Sequence, residues 1–106
     1  MTPSIIPYQI LDWAAAVRSE HPGLTGQASW QTLQFPGLRL RLVEYGPGYL
    51  ADHWCQKGHI VHCLSGSFES ELDTGEKETL TAGMTYIASD GVSSHRSSTT
   101  GGCRLL

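Results

Sequence analysis

From Ser29 to the last residue, apolar and polar residues alternate with period two, and Gly or Pro interrupts the alternation every few residues. That pattern puts every second side chain on one face, as in a half-buried strand and unlike a helix. Leu38, Leu40 and Leu42 alternate with Arg39 and Arg41. In Phe35-Pro36-Gly37-Leu38, Pro and then Gly occupy the centre of a type II turn, so residues 30–35 and 38–45 read as a hairpin. Gly46-Pro47-Gly48 breaks the chain. Further strands are predicted over 49–55, 59–64, 68–72, 77–80, 84–88, 95–98 and 103–106, each ended by a loop or turn such as Gln56-Lys57-Gly58, Ser65-Gly66 or Gly101-Gly102. Short strands at this spacing predict an all-β sandwich or barrel.

The 106 residues fit one domain. Only 16% of them are charged, against ~25% in an average soluble domain, which suits strands joined by tight turns. The first 25 residues are set apart from the barrel over 26–106. Pro3 and Pro7 make residues 1–12 extended. Asp12 caps a short helical stretch over 13–18, where Ala14, Ala15 and Ala16 favour helix. The stretch ends by His21-Pro22-Gly23. An edge strand or irregular arm fits the same residues.

Several function classes are excluded. The net charge is −3, and the densest basic cluster is Arg39 with Arg41, so no stripe exists to neutralise nucleic-acid phosphates. No apolar run approaches the ~20 residues that span a bilayer, so no membrane partner is expected. The N-terminus lacks the basic region of a secretion signal. The three cysteines, Cys55, Cys63 and Cys103, then read as free thiols in a reducing, cytoplasmic location.

Chemistry concentrates in Asp52-His53-Trp54-Cys55-Gln56-Lys57-Gly58-His59. On a strand, His53 and Cys55 share a face. A three-residue loop closed by a left-handed Gly58 would set Cys55 opposite His59 on the next strand. Opposed Cβ atoms lie ~5 Å apart, so the three donors could converge on one ion at ~2.0–2.3 Å. By the same parity Val61 and Cys63 continue this face, while Asp52, Trp54 and His62 point away. His21, before Pro22, reads as solvated.

The spacing Gly48…His53-x-Cys55-x-x-x-His59…Gly66, followed by Gly83, Ser89-x-Gly91 and His95, resembles the two cupin motifs. Ala51-Asp52-His53-Trp54-Cys55, Lys57-Gly58-His59, Gly83-Met84-Thr85-Tyr86 and His95-Arg96-Ser97-Ser98 narrow the resemblance to the DHCW-motif cupins. It runs from about Gly26 to the last residue. The resemblance implies a cupin-type antiparallel β-barrel (a jelly roll), a homodimer, and one divalent metal held inside by His53, Cys55, His59 and His95. It carries no assigned reaction and no catalytic residue. Cys55 stands where most cupins have a second His, and His59 where they have Glu. A thiolate shifts preference toward zinc, with iron, nickel or copper as alternatives.

Two functions follow from these residues. If three imidazoles hold the metal and Cys55 stands off, an open position makes a metal-dependent enzyme for a small molecule. If all four ligate, a closed shell makes a non-catalytic module that senses or binds a small ligand or serves structure. Tyr49 and Tyr86 are candidates to hydrogen-bond ligating rings, and Arg96 is a candidate for a surface ion pair or an anionic ligand.

Overall fold

The computed structural model describes residues 7–35, 37–91 and 94–106. The first six residues of the segment expected to be extended over 1–12, and the turn position Pro36, lie outside them.

Eight strands follow a short 3-10 turn at Trp13–Ala15: β1 (Arg18–Pro22), β2 (Gln27–Phe35), β3 (Leu38–Tyr45), β4 (His59–Leu72), β5 (Lys77–Thr81), β6 (Thr85–Ala88), β7 (His95–Ser98) and β8 (Cys103–Leu105). All the pairings between them are antiparallel. The hairpin forms as expected. Phe35 pairs with Leu38, and Gly37 takes the positive φ of 73° that such a tight turn requires.

Residues 59–72 depart from expectation. They form one strand of 14 residues where the sequence reads as two. Ser65-Gly66 makes a bulge instead of a turn, seen as a register shift between Cys63 and Ser65. Gly66 has φ 73°, and a Cβ there would meet the Gly102 carbonyl oxygen, so no other residue fits. The bulge bends β4 so that it serves two sheets. Its first part pairs with β6 and β8, and its second part with β5 and β7.

The core sits inside this bend. Cys63, Phe68, Leu80, Cys103 and Leu105 are buried together, with Val43, Tyr45, Val61 and Tyr86 packed against them. Val43 and Tyr45 fix which face of β3 looks inward. Arg39 and Arg41 share that face by strand parity. Leu42 and its partner Gln31 lie on the opposite face, both buried. Gln31 Nε2 donates to the Trp13 and Ala16 carbonyls, tying the N-terminal segment onto that face.

Helix formation over 13–18 yields to sheet pairing. Asp12 Oδ1 does accept from Ala14 N, at 3.0 Å, but the turn stops after Ala15. The chain then pairs along β2 as β1, from Arg18 with Gln31 to Pro22 with Gln27. Three alanines are too few to outweigh a ladder of backbone hydrogen bonds. The expected strand over 49–55 is reduced to isolated bridges at Leu50 and Cys55, with a bend at Asp52 and His53 between them.

Candidate metal centre

Backbone pairing places Cys55 beside His95 and not opposite His59. Cys55 N donates to the His95 carbonyl at 2.7 Å, and His95 N returns a bond to the Cys55 carbonyl at 3.0 Å. His59 opens β4 and faces Ala88 on β6. Gly58 fixes its position. A Cβ at Gly58 would lie 2.6 Å from Asp90 N and 2.9 Å from Ala88 O, and Gly58 N donates to Asp90 Oδ1. The expected left-handed Gly58 is not found. Glycine is needed here for close backbone approach, and its φ is not positive.

The result is a tight group. One donor atom each from Cys55, His59 and His95 lies within 4.8 Å of the others, and the three could hold a metal ion. His59 Nε2 is 2.8 Å from His95 Nε2 and 2.8 Å from Tyr86 Oη. A ring nitrogen has one in-plane proton or one lone pair, so His59 Nε2 cannot serve both neighbours well. His95 is 3% exposed, and its Nδ1 has no hydrogen-bond partner among the described residues. An unpaired buried polar atom costs ~1–3 kcal/mol.

A cation suits this donor set. Burial lowers the pKa of His95. Burial lowers that of His59 too, followed by the charges of His95, Arg39 and Arg41. Both rings are therefore neutral near pH 7, the form that ligates. Nitrogens ~2.0–2.1 Å from one ion, at right or tetrahedral angles, stand ~2.8–3.4 Å apart. The observed 2.8 Å needs only a small outward relaxation.

His53 is outside the group, contrary to expectation. Its side chain is 75% exposed, and its Nδ1 lies 2.6 Å from Asp52 Oδ1. The parity that put His53 beside Cys55 assumed a regular strand, and the bend at Asp52 and His53 breaks it. Other readings hold. His62 points away and meets Thr85 Oγ1 at 2.7 Å. Arg96 forms an ion pair with Glu71 at 2.9 Å and lies over the Trp54 ring. Cys63 is in the core. His21, expected to be solvated, is part-buried and stacks on Trp30, with centroids 3.6 Å apart. Tyr86 touches His59 directly, and the charges of Arg39 and Arg41 add, after burial and His95, to the lowering of the His59 pKa.

A cleft of about 390 Å³ bounded by Trp13, Gln31, Leu42 and Arg104 includes none of the three donors. Its Gln31 is already satisfied by Trp13 and Ala16. No helix among the described residues is long and apolar enough to cross a membrane.

No protein-family model matches the chain, and no curated protein sequence does. Solved structures do. The ectoine synthase of P. lautus superposes with a TM-score of 0.70 at 21% identity, over 92% of this chain and 74% of that one. An RmlC-like cupin from Shewanella frigidimarina gives 0.69 at 17% identity, over 93% and 86%. A sugar phosphate isomerase of the cupin superfamily from Silicibacter pomeroyi gives 0.67 at 17% identity, over 92% and 72%. Identities this low establish the fold alone. The chain is a single all-β domain with a cupin-like fold, in which Cys55, His59 and His95 form a group able to hold a metal ion.

Proposed function

We propose that this protein is a metal-dependent cupin of the DHCW-motif kind, acting on a small molecule. One divalent ion, zinc before iron, nickel or copper, would be held by Cys55, His59 and His95. The observation that supports an active site over a closed structural one is the count of donors. Three protein ligands converge, and His53 is turned to solvent against Asp52. Structural zinc sites fill four positions from the protein, whereas catalytic ones keep one for water or substrate. When bound, the ion supplies Lewis acidity to a ligand oxygen.

The chain's own residues prepare that position. Cys55 and His95 are clamped by two backbone hydrogen bonds, so their side chains enter together. Burial pushes the Tyr86 hydroxyl far above its usual range, so it keeps its proton. That proton sits at Tyr86 Oη, 2.8 Å from His59 Nε2. From there the hydroxyl can donate a hydrogen bond to an oxygen of a ligand beside His59, keeping its proton.

Cobalt(II) substitution tests this reading. Wild type should show a thiolate-to-cobalt charge-transfer band that disappears in Cys55→Ser while cobalt still binds through the imidazoles. Added azide should change the ligand-field spectrum of the wild type, because a position is open. A spectrum without the thiolate band, or one that azide leaves unchanged, contradicts the proposal.

A further inference from the structure

By strand parity Arg39, which is exposed, and Arg41, which is half-buried, lie on the side of β3 that carries Val43 and Tyr45, at the level of the donor group. Val43, Leu105 and Cys63 lie on one row across β3, β8 and β4. Both β3 and β4 run antiparallel to β8, so they run in the same direction. Stepping back two residues along each brings Arg41 level with Val61. Two more bring Arg39 level with His59. All four share the side of the sheet that carries Val43 and Cys63. Strands two places apart in a sheet are ~10 Å apart, a gap that a small molecule and the flexible Arg39 side chain together can span, with Arg41 held on the β2 side of it. The lowering of the His59 pKa by both arginine charges agrees with this placement.

The pair also lacks a counter-charge. Neither guanidinium has a carboxylate within 4.0 Å among the described residues, although the chain carries 10 acidic residues against 7 basic ones. Arg41 is nevertheless held in place. Its Nε donates to Thr32 Oγ1 at 3.1 Å, and its guanidinium lies 4.0 Å over the Trp30 ring. Trp30 is in turn stacked on His21. Two like charges on one face of a strand repel each other unless an anion joins them, and a guanidinium fork matches the oxygens of a carboxylate or phosphate.

We infer that Arg39 and Arg41 form the oxyanion subsite of the ligand pocket, and that the small molecule carries a carboxylate or phosphate group opposite the end that reaches Cys55, His59 and His95. The far end of the ligand rests on the metal reading above, whereas the arginine pair is tested separately from it.

Calorimetric titration with malonate and with inorganic phosphate makes the test, on zinc-loaded and on chelator-stripped protein. Wild type should bind at least one of the two. Arg39→Gln/Arg41→Gln should bind it roughly tenfold or more weakly, compared at equal zinc content and under conditions where the variant is folded. Arg39→Lys/Arg41→Lys should fall between, keeping charge but losing the fork. The better anion tells carboxylate from phosphate. Should the double variant unfold, Arg39→Gln alone, at an exposed position, must still weaken binding. Equal binding by wild type and the Gln variants, or no binding of either anion by the wild type, overturns the subsite. Arginine-dependent binding that is identical with and without zinc supports the subsite and counts against the metal reading.

Discussion

Gly58→Ala should destabilise the protein and loosen the donor group at the same time. The added Cβ would lie 2.6 Å from Asp90 N, 2.9 Å from Ala88 O and 2.9 Å from Ser89 C, all backbone atoms. Ordinary contact begins at 3.4 Å, so the segment must retreat by about 0.8 Å, the difference between 3.4 and 2.6. It cannot retreat freely, because Gly58 N binds Asp90 Oδ1 and Gly91 N binds the Gln56 carbonyl at 2.9 Å. Overpacking of this kind costs ~1–3 kcal/mol, and each kcal/mol lowers Tm by ~4–8 °C in a domain of about 100 residues. His59 is the next residue, and a functional constellation tolerates only ~0.5 Å of displacement, so metal affinity should fall roughly tenfold as well. Urea denaturation of the metal-free protein reads the first effect, and competition with a chelator reads the second. Gly101→Ala is the control, since a Cβ there meets nothing within 4 Å and its φ is not positive. It should be neutral or slightly stabilising. Gly58→Ala within ~0.5 kcal/mol of wild type, with unchanged metal affinity, would refute the close approach.

His53→Ala should leave metal content and stability within ~0.5 kcal/mol of wild type, since His53 is 75% exposed and outside the group; loss of metal would return His53 to the ligand set. Phe68→Ala, at a side chain 1% exposed, should cost ~3–5 kcal/mol by denaturant titration; a loss under 1 kcal/mol would mean that the core lies elsewhere. Tyr86→Phe removes the hydroxyl that competes for His59 Nε2, so metal affinity should not fall; a tenfold drop would make Tyr86 Oη a ligand. Acid should weaken the metal-free fold. His59 and His95 have native pKa values below their ordinary 6.5, so the unfolded chain binds more protons between the native values and ~6.5. Their contribution is fully present above that window and is lost as pH falls through it. A urea midpoint unchanged between about pH 7.5 and 5.5 would contradict this; metal retained in the loaded protein at about pH 4 would contradict imidazole ligation, which needs deprotonated rings.

Strands bounded by strong turns were legible in the sequence. The hairpin of β2 and β3, β5, β6 and the start of β7 lie where alternation and glycines put them, because a tight turn fixes register locally. Ser65-Gly66 reads the same in sequence whether it turns the chain or bulges it. Only the neighbouring Gly102 carbonyl decides, and it is remote in sequence. His53 failed for a similar reason, since parity carries a side chain to the right face only while the strand stays regular. Residues Cys55 and His95 are 40 apart in sequence, and their backbone pairing left no local sign. On β3 the Leu/Arg alternation gave the period but not the face. The arginine side proved to be the inner one, and Leu42 is covered instead by the N-terminal segment.

X-ray absorption at the metal edge of the loaded protein tests the ligand set most directly. One sulfur at ~2.3 Å and two imidazole nitrogens at ~2.0–2.1 Å, completed by an oxygen that exchanges with solvent, is the predicted shell. A shell without sulfur, or with three or more imidazoles and no exchangeable position, would contradict it.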